Sequence, residues 1–387
     1  MVRFCCVFLF CTLLHVCHAH GYDTLCAGGN KSFQATFRNG IAVDIGPVMK
    51  GGLAARSCRA SFDWDGQQLL IADQAAAIDL DLFGADLGTG EPVAAFQIKK
   101  SSSDCCVIYE IYSLTKPPHL IRRLQGGGYF RAADTNLEGQ VEIWADDSAA
   151  VNGLEGLFTR QMRFPPTLVV RVENGRLLDV SSEFQPYFDQ VIAELRQEIN
   201  PREIQEFKQR ALPGAKQGAP TYHDVSRERR IKILVLEIVW AYLYSGRQGA
   251  AWKALREMWP AGDAPRVAAE MAEARAHGLR AQLDGSSNSG PLPPGEHATI
   301  YTSAQATARP IMVRYYPPSN RDTLPRRVRV DLVVDCAGKV WSAEVAGRDK
   351  AIREFVTHAT LNWKFIPAFI DDQPVASHVR MTISLAQ

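Results

Sequence analysis

The sequence predicts a multidomain fold in which an N-terminal all-β domain, a central α-helical domain and a small C-terminal α+β domain follow one another. Three observations predict it. From Phe33 to about Val180, short runs of β-branched and aromatic residues alternate with Gly, Pro, Asp and Ser clusters, the pattern of half-buried strands and turns. Between Ser182 and Leu283 the apolar period lengthens from two to 3.6, and beyond a Gly-, Ser-, Asn- and Pro-rich stretch both periods are interleaved. The segments fall at 1–19 (leader), 20–181 (all-β), 182–283 (helical), 284–298 (linker) and 299–387 (C-terminal domain). With 387 residues, 46% of them hydrophobic and 22% charged, the chain can bury two or three cores. A net charge of +1 gives it no electrostatic preference for nucleic acid or an anionic membrane.

The leader has the layout of a secretory signal peptide: Arg3, an apolar stretch over 4–16, and small residues at Cys17-His18-Ala19. That stretch is shorter than the ~20 residues a spanning helix needs, so cleavage after Ala19 and a periplasmic or secreted product are expected. Retention as an anchor is the alternative; lipidation at Cys17 would need a residue smaller than Val16 before it. Four of nine cysteines lie in the leader, leaving Cys26, Cys58, Cys105, Cys106 and Cys336. Five is odd, so one thiol stays free or pairs between molecules. Cys26 with Cys58 is the candidate bridge. Cys105 and Cys106, adjacent on an expected strand, should point to opposite faces and not pair easily with each other. No Cys-x-x-Cys spacing supports redox or zinc chemistry.

Strands are expected within 69–71, 78–82, 93–98, 107–114 and 141–144, and Asn174-Gly175 between apolar flanks is a hairpin signal. The one chemical motif of this region runs from Asp134 to Glu142. Asp134, Asn136, Glu138 and Glu142 place oxygens at the first, third, fifth and ninth positions, with Gly139 sixth, a spacing suited to calcium. The loop resembles the acidic loops of FG-GAP repeats in integrin-like propellers, which implies calcium as ligand. A weaker echo, Asp79, Asp81 and Asp86, has Phe83 at its fifth place. The same residues also suit an acidic turn in which Asp134 and Asn136 bond their own backbone.

In the helical region Phe188, Val191, Ile192 and Leu195 mark one apolar stripe, with Pro186 near its start. Asn200, Pro201 and Glu203 form a cap, a first-turn proline and a capping-box acid, so a second helix begins there. Residues 213–220 read as a loop, and 231–244 as a central helix that Gly246 ends. The run 250–259 returns antiparallel, and Tyr242, Gly246 and Ala251 fall where a tetratricopeptide unit has them, although one unit is no array. Asp263 caps a last helix that Gly278 closes.

The C-terminal region is the most specific. Residues 328–334 alternate as a strand, Asp335-Cys336-Ala337-Gly338 turns, and Val340 and Val345 belong to a return strand. Ile352, Phe355, Val356, Ala359 and Trp363 stripe a helix; Asp371-Asp372 turns again, and Val379, Met381, Ile383 and Leu385 alternate to the end. The Gly338-Lys339-Val340 turn, the segment from Asn362 to Ala368, the Gln373-Pro374-Val375 turn and the final strand together resemble the C-terminal domain of TonB-family energy transducers. That resemblance covers about a fifth of the chain. It implies a periplasmic domain that pairs its last strand, here Val379, Arg380, Met381, Thr382, Ile383 and Ser384, with an outer-membrane receptor by strand addition. The long proline-rich spacer of a transducer is missing, since the chain offers only the clusters at 291–294 and 317–318.

No nucleophile elbow, His-Glu-x-x-His, phosphate loop or dinucleotide fingerprint is present. Glu237 sits in the expected buried helix, where it would pair with Arg227, Arg229 or Arg230, or act as a functional acid. The expectation is an exported, non-enzymatic protein that binds a protein partner through its C-terminal domain, with transport across the cell envelope as the wider role. An exported hydrolase with its site between the β and helical domains is the alternative.

Overall fold

The computed structural model describes residues 24–29, 31–50, 53–102, 105–210, 222–287, 298–312, 327–347 and 349–384. The expected leader, the expected 213–220 loop and most of the expected linker lie outside these residues.

After β1 (Cys26–Ala27), strands β2 (Phe33–Thr36), β3 (Ala42–Lys50), β4 (Leu53–Trp64) and β5 (Gln67–Ala75) form a four-stranded antiparallel meander. A second sheet follows, of β6 (Ala77–Asp86), β7 (Pro92–Lys99), β8 (Val107–Ser113) and β9 (His119–Gly127), with β1 added beside β6. The two sheets close on Phe37, Val43, Phe62, Ile78, Phe96 and Tyr112, and the disulfide Cys26–Cys58 ties them together as expected. Strands β6 and β7 are buried along almost their whole length, because this second sheet is a middle layer. Leu80 and Phe96 face the first sheet, while Leu82, Ala95 and Tyr109 belong to the core on its other side.

On that other side lies a third sheet: β10 (Phe130–Ala133), β11 (Glu142–Asp146), β12 (Thr167–Glu173) and β13 (Arg176–Asp179), with the short helix α1 (Ser148–Val151) between β11 and β12. Tyr109 stacks on Phe130 at 4.7 Å. The β12–β13 hairpin turns at Asn174 and Gly175, both at positive φ (52° and 73°), as its two-residue turn requires.

Five helices follow: α2 (Gln185–Glu198), α3 (Pro201–Arg210), α4 (Tyr222–Tyr244), α5 (Gln248–Met258) and α6 (Ala264–His277). Helix α4 starts earlier than its apolar run, because residues 222–230 add a polar first portion. The expected division at 181/182 does not divide the core. Trp144 of β11 meets Phe184 and Tyr187 at 5.0 Å each, and one apolar cluster runs from the second sheet through the third into the helices. The linker is also shorter than composition suggested. Asp284 accepts the Leu177 N–H at 2.8 Å, and β14 (Gly285–Ser286) extends the third sheet parallel to β13. Composition reports a lack of apolar side chains there, but main-chain pairing needs none.

The C-terminal unit comprises β15 (Arg309–Met312), β16 (Arg327–Val334), β17 (Val340–Val345), α7 (Lys350–Thr360), β18 (Lys364–Ile366), β19 (Ala368–Ile370), β20 (Gln373–Val375) and β21 (Ser377–Ser384). The expected strand, strand, helix, strand order is present as a sheet β17–β16–β21, with Asp349 capping α7. Val328, Val330, Leu332, Val379 and Ile383 line one face of that sheet and share a core with Val356 of α7 and Trp363. Two short ribbons, β15–β18 and β19–β20, accompany the main sheet. No helix among the described residues is long and apolar enough to cross a membrane.

Candidate functional site

The acidic loop between β10 and β11 is where the C-terminal unit sits. The Asp134 carboxylate accepts the N–H of Glu138 at 3.0 Å and of Gly139 at 2.8 Å, so it ties its own loop into a turn. That turn drives Leu137, at a left-handed φ of 54°, outward from the body. Leu137 is fully buried nonetheless, against Val333 and Ala376 with Ile300 and Trp341 beside it. The contact is reinforced by hydrogen bonds: Asp134 N–H donates to the Asp335 carboxylate at 2.9 Å, and Trp341 Nε1 donates to the Thr135 carbonyl at 3.1 Å. The Asp335 carboxylate also takes the N–H groups of Ala337 and Lys339; burial nevertheless pushes it up to about 7.

The four oxygen-bearing residues expected to hold calcium are arranged as follows. Asp134 and Glu142 are buried, and Asn136 and Glu138 are half-buried. Arg171 reaches from β12 to Glu142 at 2.9 Å and Glu138 at 3.3 Å, and pairs with Glu183 at 2.8 Å. A guanidinium thus already stands where the carboxylates converge. Burial pushes the Glu142 carboxyl up to about 8. Among the described residues no group of three or more His, Cys, Asp and Glu side chains could hold a metal ion.

The acids of the weaker echo have a clear task. Asp79 and Asp81 on β6 point away from the first sheet and receive two lysines from the C-terminal unit. Lys339 Nζ lies 2.5 Å from Asp81, and Lys364 Nζ lies 2.6 Å from Asp79 and donates to the Leu80 carbonyl at 2.7 Å. Asp81 further accepts the Tyr109 hydroxyl at 2.8 Å and the Ala132 N–H at 2.9 Å. Burial alone would raise its carboxyl, but Lys339, with Lys364 behind it, outweighs that and holds it below the ordinary range. Periodicity missed both lysines, since each interrupts an apolar run; a lysine flanked by core residues on both sides was the available signal.

Strand β21, the expected partner-binding segment, is the last strand of its sheet among the described residues. Its alternation resolves which groups face outward. His378 N–H donates away from β16, to the Tyr301 carbonyl at 2.8 Å, so His378, Arg380 and Thr382 turn their main-chain groups out, and Val379, Met381 and Ile383 turn theirs toward β16. On the other side of β16, Ala346 N–H donates to the Arg329 carbonyl, which agrees with this parity. Tyr301 occupies only the start of the edge. Beyond it, no backbone partner of Arg380 or Thr382 occurs on that side among the described residues. The Arg380 side chain lies on the exposed face, 2.6 Å from Asp331 across the ladder.

Elsewhere two expectations are corrected. Glu237 pairs with none of Arg227, Arg229 or Arg230; its Oε1 accepts the N–H groups of Arg163 at 2.5 Å and Phe164 at 2.9 Å, while Arg227 pairs with Glu206 and Arg230 with Glu203. Helix α4 points Glu237 inward toward the 163–164 backbone, whereas residues 227–230 precede the buried run. Cys105 and Cys106 form a disulfide with each other. They lie in the connection before β8 rather than within it, so the strand alternation that would separate their side chains does not apply. Cys336 is the free, buried thiol, 3.5 Å from the Asp134 carboxylate.

No family model, curated protein or solved structure matches the chain.

Proposed function

We propose that residues 299–387 form a docking unit that takes an extended segment of a protein partner along β21, in an exported protein whose role is binding rather than chemistry. The observation that carries this reading is the outward row of main-chain groups at Arg380 and Thr382 on a terminal strand. An edge of this kind pairs with an extended peptide through backbone hydrogen bonds, with alternate side chains giving selectivity. The opposite edge strand, β17, is a poorer candidate because its Trp341 is engaged with the acidic loop. The resemblance to TonB C-terminal domains supports the same strand and suggests an envelope protein, such as an outer-membrane receptor, as partner. Unlike a domain on a long tether, this unit is held by Lys339 in a buried ion pair and Lys364 in a half-buried one, so a bound partner would be drawn against the β layers.

The test is a photoreactive residue placed at Thr382, with a second placed at Glu344 on β17, followed by irradiation of living cells of the native host. A defined adduct from position 382 and none from 344 is expected. Adducts from 344 alone, or from neither position, would overturn the reading.

A further inference from the structure

A cavity of about 580 Å³ lies where the end of β7 meets α1 and the short turn after it, and none of its lining residues belongs to the C-terminal unit. Lys99, Ser102, Cys105, Ser148, Asn152, Phe158, Thr159 and Arg160 line it. Its composition is specific in three ways. Two cations face it, and among the described residues neither Lys99 nor Arg160 has a carboxylate within ion-pair distance. Four side chains, Ser102, Ser148, Asn152 and Thr159, bring hydroxyl or amide groups that both donate and accept. The Phe158 ring is 39% exposed, unusual for so large an apolar group, with the Arg160 guanidinium 5.2 Å from its centroid, so flat apolar surface and positive charge are presented together.

The wall is built rather than incidental. Ser148 is buried and its hydroxyl lies 2.8 Å from that of Thr159. Gly128 approaches so closely that a Cβ there would come within 2.4 Å of the Ser148 oxygen. Lys99 is fixed at the end of its strand, where its carbonyl accepts the Ala76 N–H at 2.8 Å.

We propose that this cavity binds an anionic sugar, a saccharide ring bearing one carboxylate, sulfate or phosphate. The acid group meets Lys99 and Arg160, the ring hydroxyls meet Ser102, Ser148, Asn152 and Thr159, and an apolar C–H face lies on Phe158. The size suits a ligand of one or two rings, within the roughly 300–1,000 Å³ of small-molecule sites. An inorganic anion would leave both the aromatic surface and most of the hydroxyls without a partner, and a neutral sugar would leave two cations unanswered. This site is independent of the β21 edge.

The experiment is isothermal titration of the full mature chain with glucuronate, N-acetylglucosamine 6-sulfate and glucose 6-phosphate, beside glucose and inorganic phosphate. At least one acidic sugar is expected to bind with a Kd below about 1 mM, and glucose and inorganic phosphate at least about tenfold more weakly. Lys99→Ala and Arg160→Ala should each weaken that binding about tenfold or more. Their unliganded thermal midpoints should match the parent's, which separates lost binding from lost folding; Arg160→Gln, which removes the charge and keeps most of the side chain, serves in place of Arg160→Ala if the latter unfolds. Absence of binding by all three acidic sugars, inorganic phosphate binding as tightly as the sugars, or affinity untouched by both substitutions would each overturn the proposal. The arm that binds identifies the acid group.

Discussion

The Lys339 ammonium lies 2.5 Å from the Asp81 carboxylate, buried on both sides, although 258 positions of chain separate the two residues. Lys339→Met leaves Asp81 buried with the Tyr109 hydroxyl, the Ala132 N–H and the more distant Lys364 to answer its charge, and is expected to cost about 3–5 kcal/mol in urea unfolding. Adding Asp81→Leu removes the stranded charge and should restore most of that loss. The pH dependence has a definite sign. The folded Asp81 carboxyl is held low, so its contribution is present above the unfolded value of about 3.9 and disappears as pH falls through the folded one. The parent should therefore lose more stability between pH 7 and strong acid than the double variant does.

Glu237 has the opposite sign. Burial pushes its carboxyl up to about 7, in spite of the two N–H groups on Oε1. Its favourable contribution is complete below the unfolded value and is lost as pH rises through about 7. Between pH 5 and pH 8.5 the parent should lose on the order of 2–3 kcal/mol more than Glu237→Gln, which keeps the acceptor oxygen and cannot ionise. Equal slopes in the two proteins would show that Glu237 does not titrate in this range.

The cysteines give a chemical readout. Peptide mapping without reduction should find Cys26 joined to Cys58 and Cys105 joined to Cys106 within a single peptide. Burial pushes the Cys336 thiol far above its ordinary value. Iodoacetamide is accordingly expected to leave Cys336 unlabelled in the native protein and to alkylate it in urea. Labelling of Cys336 under native conditions would mean that the seat of the C-terminal unit opens readily.

Local patterns are legible in the sequence, and long-range pairing is not. Strand alternation around Val330, the Asn174-Gly175 turn and the stripe of α7 each depend on neighbours within a few residues, so they were visible as periods. Asp79 and Asp81 looked like a failed metal loop because their partners, Lys364 and Lys339, come from the far end of the chain. Asp134 to Glu142 had the ligand spacing for calcium, but spacing gives no sign of Arg171 arriving from another strand. Cys105 and Cys106 misled through one assumption, that both lay inside the ladder when they precede it. The edge position of β21 was expected, and the anchoring beneath it was not.

The acidic loop can be tested as a seat. Leu137→Ala removes the apolar side chain that Val333, Ala376, Ile300 and Trp341 enclose, and should cost about 2–5 kcal/mol. Alanine is as poorly suited to φ 54° as leucine, so the loss reports packing rather than backbone strain. Calcium at millimolar concentration is expected to leave the Tm unchanged, since Arg171 already supplies positive charge to Glu138 and Glu142. A rise of several degrees would mean that the metal displaces the guanidinium.

Proline substitutions along β21 separate the two sides of that strand. At Thr382 the N–H faces outward, so Thr382→Pro removes a donor that no strand among the described residues uses, and edge strands tolerate proline in such positions. At Met381 the N–H faces β16, opposite Val330, and Met381→Pro breaks a ladder bond in the sheet. The first substitution should leave the thermal midpoint close to the parent's and abolish the adduct formed from a photoreactive residue at position 380. The second should cost about 3 kcal/mol or more whether or not a partner is present. Equal destabilisation by the two would contradict the strand parity set by His378 and Ala346. An unchanged adduct in a stable Thr382→Pro protein would place the partner somewhere other than this edge, because a strand added there must draw on the missing donor.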